Sequence, residues 1–109
     1  MSERRRLENR RPSENFTFEC AGLTYTATFS RFPDGRIGEL FLSNHKSNSA
    51  ADTNARDAAI AFSFAVQHGA DPDTIRKALS RDGRGNPSGP LGTALDKITP
   101  TRSHLIGEL

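Results

Sequence analysis

The chain has 109 residues, enough for one small domain, and its 34% hydrophobic content supports a modest core and excludes a deeply enclosed multi-substrate site. Fifteen Lys and Arg stand against thirteen Asp and Glu, a formal charge of +2, too balanced for attraction of polyanions by net charge alone. A single cysteine, Cys20, excludes an internal disulfide and a cysteine-rich metal site.

The charge is unevenly placed. Arg4, Arg5, Arg6, Arg10 and Arg11 fall in the first twelve residues beside only Glu3 and Glu8, which leaves ten basic and eleven acidic groups in the remainder. Residues 1–14 have no hydrophobic periodicity, and Leu7 is their one large apolar residue after the initiator, so they read as a flexible basic arm. The arginine-rich start is followed by Pro12, Ser13 and Glu14, not by an apolar signal segment, and no run reaches the roughly eighteen apolar residues that span a bilayer. The expected setting is cytoplasmic, without membrane contact.

From Phe16 the pattern alternates. Phe16, Phe18 and Cys20 share a face of one strand; Tyr25, Ala27 and Phe29 share a face of the next, between threonines; and Ala21-Gly22 turns the chain between them. Pro33-Asp34-Gly35 supplies a second turn, after which residues 37–43 form a third strand. Short connections make the sheet antiparallel. From Ala55 to His68 there is no Pro or Gly, and Ala55, Ala59, Phe62 and Val66 recur at helical spacing. The helix reaches back to about Ser49, with Asp52 or Asn54 near its start, and stops at His68-Gly69. Ile60 and Phe64 widen its apolar surface toward a second contact on a partner. Asp71-Pro72 starts a short helix that buries Ile75, Ala78 and Leu79. A polar loop from Arg81 to Gly89 precedes a final helix with Leu91, Ala94, Leu95 and Ile98 inward and an end at Thr99-Pro100. The expected fold is α+β: a three-stranded antiparallel sheet followed by one long helix and two shorter helices, with residues 15–99 as the domain and 100–109 as a tail.

The stretch Asp34 to Ser47, the alanine-rich helix after it and the segment Gln67-His68-Gly69-Ala70-Asp71-Pro72 occur in an order that resembles the TSCPD domain family. The shared features are Lys46-Ser47 after a strand, a helix over residues 55–67, and His68-Gly69 opening a second helix; the resemblance covers roughly residues 16–98. Such domains are often appended to the C-terminal side of adenosylcobalamin-dependent ribonucleotide reductases, and free-standing versions exist. The resemblance implies an accessory connection to deoxynucleotide synthesis, with a reductase or a nucleotide as partner. It does not imply reductase chemistry, which needs a radical-generating barrel and a redox cysteine set. Where the family carries its terminal cysteine motif, this chain has Arg81-Asp82-Gly83-Arg84-Gly85-Asn86-Pro87-Ser88.

Residue by residue, Lys46 and Ser47 stand where strand passes to helix, a place for a phosphate or carboxylate, against the plainer reading that Ser47, Asn48 and Ser49 turn and cap the chain. No GxxxxGK[ST] pattern is present. Arg81 and Arg84 sit in a glycine-rich loop that is either a phosphate contact or a surface crossing. The arm arginines fit salt-sensitive contact with nucleic-acid phosphates, or else a solubilising or partner-binding tail. His45, His68 and His104 lack the pairing that a metal site needs. Cys20 follows the inward phase of Phe16 and Phe18 and reads as a small core residue, and Asp52/Asp57 and Asp71/Asp73 lack convergent acid–base spacing. The leading function is a non-catalytic, cofactor-free binding module that pairs as a homodimer; the alternatives are a nucleic-acid-binding protein using its arm, or a small nucleotide-directed enzyme using Lys46-Ser47 and the Arg81–Arg84 loop.

Overall fold

The computed structural model describes residues 3–9 and 11–107, the stretch 99–107 through its helical backbone only. The elements in order are β1 (Ser13–Cys20), β2 (Leu23–Arg31), β3 (Ile37–Asn44), α1 (Ala50–Gln67), α2 (Pro72–Ala78) and α3 (Pro90–Gly107). The class is α+β, a three-stranded antiparallel sheet in the order β1-β2-β3 followed by a long helix and two more.

Each strand connection is built from its turn residues. Ala21 (φ 53°) and Gly22 (φ 80°) both take the left-handed conformation of a two-residue hairpin, which sets Cys20 opposite Leu23. In the second turn the Gly35 amide donates to the Phe32 carbonyl (2.9 Å), Gly35 sits at φ 92°, and the Asp34 carboxylate accepts from the Arg36 amide (3.0 Å). β1 therefore pairs in unbroken register from Ser13↔Ser30 to Cys20↔Leu23, and β2 pairs with β3 from Tyr25↔Asn44 to Arg31↔Ile37 with one irregularity at Ser30/Arg31.

The pleat divides the sheet into two unlike faces. On one side lie Phe16, Phe18 and Cys20 of β1, Tyr25, Ala27 and Phe29 of β2, and Leu40 and Leu42 of β3; these meet Ala55, Ala59, Phe62 and Val66 of α1 and Ala94, Leu95 and Ile98 of α3 in one core. Ala27, Leu40, Ala59, Ala94 and Leu95 have no exposed surface, so the small residues of β2 and α1 set how closely helix and sheet approach. Rings line the β1–β2 side: Phe18 stacks on Tyr25 at 5.5 Å, and Phe16 stands 5.8 Å from Phe18 and 6.2 Å from Phe29. The other face carries Ser13, Asn15, Thr17, Glu19, Thr24, Thr26, Thr28 and Ser43 around the half-exposed Phe41.

α1 covers the free edge of β3 as well as the core. Ser63 Oγ accepts from the Leu40 amide (2.9 Å) and donates to the Leu40 carbonyl (3.0 Å); Gln67 Nε2 donates to the Gly38 carbonyl (2.8 Å); and Asp52 Oδ1 accepts from the Asn44 amide (2.9 Å). These buried side chains satisfy backbone groups that a neighbouring strand would otherwise take.

Capping follows the sequence closely. Ser49 is the N-cap of α1, His68 its C-cap, and Gly69 lies at φ 105°; Asp71 caps α2 with Pro72 in its first turn. Two expectations are corrected. Ala78 is exposed and not buried, and Ile75 and Leu79 are only partly covered, because the seven-residue α2 lies on the surface with Pro72 as its buried residue. The helical backbone of α3 continues through Pro100 to Gly107 instead of ending at Thr99-Pro100, since a proline removes its own amide bond without obliging the backbone to stop. No helix among the described residues is long and apolar enough to cross a membrane.

Candidate functional site

The passage from β3 to α1 places Lys46 and Ser47 on an exposed turn. The Lys46 amide donates to Asn44 Oδ1 (2.8 Å), its carbonyl accepts from Ser49 Oγ (2.7 Å), and Asn48 takes φ 62°. Below the turn is a carboxylate. Asp52, 2% exposed, accepts from the Asn44 amide, from the Asn48 amide (3.2 Å) and from Arg56 Nε (3.0 Å). The Asn44 amide first, then the Arg56 guanidinium, holds its carboxyl below the usual carboxylate range. The amides that an exogenous anion would use here are thus already directed at the chain's own anion. The neighbouring Asn44 Nδ2 is buried without a hydrogen-bond partner among the described residues.

Arg81 and Arg84 lie in the loop between α2 and α3. Arg81 grips Asp96 of α3 through both oxygens, Nη1 to Oδ2 at 3.0 Å and Nη2 to Oδ1 at 2.8 Å, and also donates to the Gly85 carbonyl (2.9 Å). Arg76 shares Asp96 (3.2 Å) and binds Asp73 (2.8 Å), so two cations and two carboxylates knit α2, the loop and α3 together. The loop has its own framework: Asp82 accepts from the amides of Arg84 (2.8 Å) and Asn86 (3.0 Å), and its amide donates to the Asn86 carbonyl (2.9 Å). Arg84 is exposed. Among the described residues no hydrogen bond or ion pair joins Lys46 or Ser47 to Arg81 or Arg84.

The Arg81 guanidinium first, with Arg76 behind it, keeps the Asp96 carboxyl below its ordinary range. Asp96→Asn is expected to cost about 1 kcal/mol at neutral pH and less in acid, because the wild-type carboxylate itself becomes protonated there. Urea titrations at pH 7 and at pH 3 check this; an equal loss at both values would show that the charge is not what matters.

A groove of about 390 Å³ runs between the first half of α1 and the residues on either side of the loop. Tyr25, Ala55, Leu79 and Leu91 form its apolar walls, and Asn54 and Ser80 are polar groups at its margin. It lies in the size range of small-ligand clefts. No local sequence signal marks it, because its walls come from β2, α1, the end of α2 and the start of α3.

The arm lies along the fold. The Arg5 amide donates to the Gln67 carbonyl and Arg4 Nε to Gln67 Oε1, both at 2.5 Å, and the Arg4 guanidinium sits 4.6 Å from the centre of the Phe64 ring. Arg5 pairs with Asp34 (3.1 Å) and stacks 3.9 Å from the centre of Phe32. Leu7 approaches Gly38 so closely that a Cβ there would meet Leu7 Cδ2 at 3.0 Å and the Phe32 ring at 3.1 Å. Arg11 pairs with Glu39 and donates to the Glu8 carbonyl (2.8 Å); Arg6 is exposed, and Arg10 lies outside the described residues.

Among the remaining candidates, Cys20 is buried with its thiol 3.9 Å from the Ser88 carbonyl. His45 Nε2 lies 3.2 Å from Thr26 Oγ1 and His68 Nδ1 2.8 Å from the Phe64 carbonyl, while the side chain of His104 is outside the described residues. No group of three or more His, Cys, Asp or Glu among the described residues is placed to hold a metal ion.

No protein-family model matches the chain, and no solved structure matches it. It is 36% identical over 67 residues to a vitamin B12-dependent ribonucleotide reductase from Agrobacterium fabrum (strain C58). The matched stretch is 62% of this chain and 5% of that reductase, so the likeness is to a small segment of a much longer protein.

Proposed function

We propose that this chain is a TSCPD-type binding module that acts without catalysis beside a vitamin B12-dependent ribonucleotide reductase in the cytoplasm, through contacts with the reductase or with a nucleotide. The observation that carries this reading is the match of 67 residues to 5% of a reductase: the likeness is the size of an accessory domain and far short of a reductase core. Cysteine chemistry points the same way. With one cysteine in 109 residues, and that one buried, the chain has no dithiol of its own to deliver electrons. The groove beside α1 is the place this reading assigns to a nucleotide's base.

Isothermal titration of the purified chain into the purified reductase of the same cell tests the reading, with dATP and dGTP titrated separately into each protein. A dissociation constant in the micromolar range, about 1–50 μM, is expected for the reductase or for one nucleotide. Absence of binding to the reductase and to both nucleotides overturns the proposal.

A further inference from the structure

We infer that the open edge of β1 is the surface through which two copies of this chain join, their β1 strands pairing antiparallel into one six-stranded sheet. The hydrogen bonds at β3 fix which backbone groups face which way. Leu40 and Asn44 direct their amides, and Gly38 and Leu40 their carbonyls, away from β2 and toward α1. In an antiparallel ladder this orientation alternates along each strand, so Glu39, Phe41 and Ser43 face β2. Their partners Ser30, Thr28 and Thr26 face β3 in return, and Tyr25, Ala27 and Phe29 face β1. Carrying the alternation across the β1–β2 register leaves Ser13, Asn15, Thr17 and Glu19 with amide and carbonyl directed outward. All four are exposed, and among the described residues none of these groups has a hydrogen-bond partner outside the sheet.

The two edges of the sheet are treated oppositely. At β3 the chain commits Asp52, Ser63 and Gln67, each buried, to closing the edge. The β1 edge is left open: residues 13–20 contain no proline, lysine or arginine, their charged residues are Glu14 and Glu19, and the β1 register is free of bulges.

A second copy is the occupant that this edge fits. An antiparallel pair centred on Phe16 sets Ser13 opposite Glu19 and Asn15 opposite Thr17 of the second copy, so that the outward groups of all four residues find partners. Glu14 then faces Phe18, and no carboxylate stands directly opposite another, which removes the like-charge penalty of a cross-strand pair. Phe16, half-buried and already in ring contact with Phe18 and Phe29, meets its own counterpart on the twofold axis and continues the aromatic row across the junction. This inference is independent of the reductase reading.

The test is sedimentation of the full chain from about 2 to 200 μM, with amide hydrogen exchange followed at both ends of that range. The expected result is a species of twice the chain mass at the upper end. Protection of the Asn15, Thr17 and Glu19 amides should rise with concentration, while the Leu40 and Asn44 amides stay protected throughout. Thr17→Pro removes one outward donor and no β1–β2 bond, and is expected to weaken association at least tenfold, whereas Thr17→Ala keeps the amide and the dimer. A chain that stays monomeric to the upper limit, or a dimer formed with no concentration-dependent protection in β1, overturns the inference. Exchange on the unaltered chain decides the matter even if the proline variant fails to fold. Protection of β1 by an added reductase in place of a second copy also counts against it.

Discussion

Asp52→Ala is expected to lower the midpoint of thermal unfolding by about 10 °C, more than a surface aspartate in a helical first turn would, because the loss reaches across to the sheet. Removing the carboxylate strips the Asn44 amide at the end of β3 and the Asn48 amide of the turn of their acceptor, and leaves Arg56 without its partner. The Asn44 amide is enclosed by the helix that covers it, so water cannot replace the lost bond at no cost. Asp52→Asn should recover part of the loss, since one amide oxygen can still accept from a single donor. The effect also depends on pH. Asp52 titrates lower in the folded chain than in the unfolded chain, so its contribution is complete above the unfolded carboxylate range and fades as pH falls through the folded value. Melting curves at pH 7 and at about pH 2.5 should therefore show the difference between Asp52→Ala and the unaltered protein shrinking in acid. A gap that persists undiminished would rule out the charged form as the stabilising species.

Leu95→Ala should cost about 3 kcal/mol, measured by urea denaturation at neutral pH. Leu95 has no exposed surface and sits with Ala94 and Ile98 where α3 closes the core over the sheet, so truncation leaves a void that alanines and aromatic rings around it cannot fill. Phe64→Ala, a larger truncation at a residue 47% exposed, is the comparison: it should fall within about 1 kcal/mol of the unaltered chain. Comparable losses in the two variants would mean that α3 is not docked as described.

Local chemistry carried the elements. Positive φ at Ala21, Gly22, Gly35 and Gly69, a serine and an aspartate at helix starts, and a proline after the second of them are all properties of neighbouring residues, and a sequence displays them directly. The buried stripe Ala55, Ala59, Phe62 and Val66 and the inward placement of Cys20 follow from period alone. What the sequence hid are pairings between elements. Nothing near Arg81 announces that its partner is Asp96, fifteen residues on in α3. Asp52 is legible as a helix-start residue, but its bond to the strand end depends on how α1 lies along β3. The groove is hidden for the same reason, and so is the exposure of Ala78, because helical spacing shows which residues share a face and not whether anything covers it.

The polar stripe of α1 also constrains motion. Contacts made by alanine and valine are non-directional and nearly as favourable after a small slide or roll, so an alanine-rich helix on a smooth sheet has little to hold it at one phase. Asp52, Ser63 and Gln67 engage a strand whose outward groups recur only at alternate residues, and displacement by one residue would bring each of them against a position that has nothing to offer. They act as the teeth of a rack, and the helix can leave its seat only by disengaging all of them together.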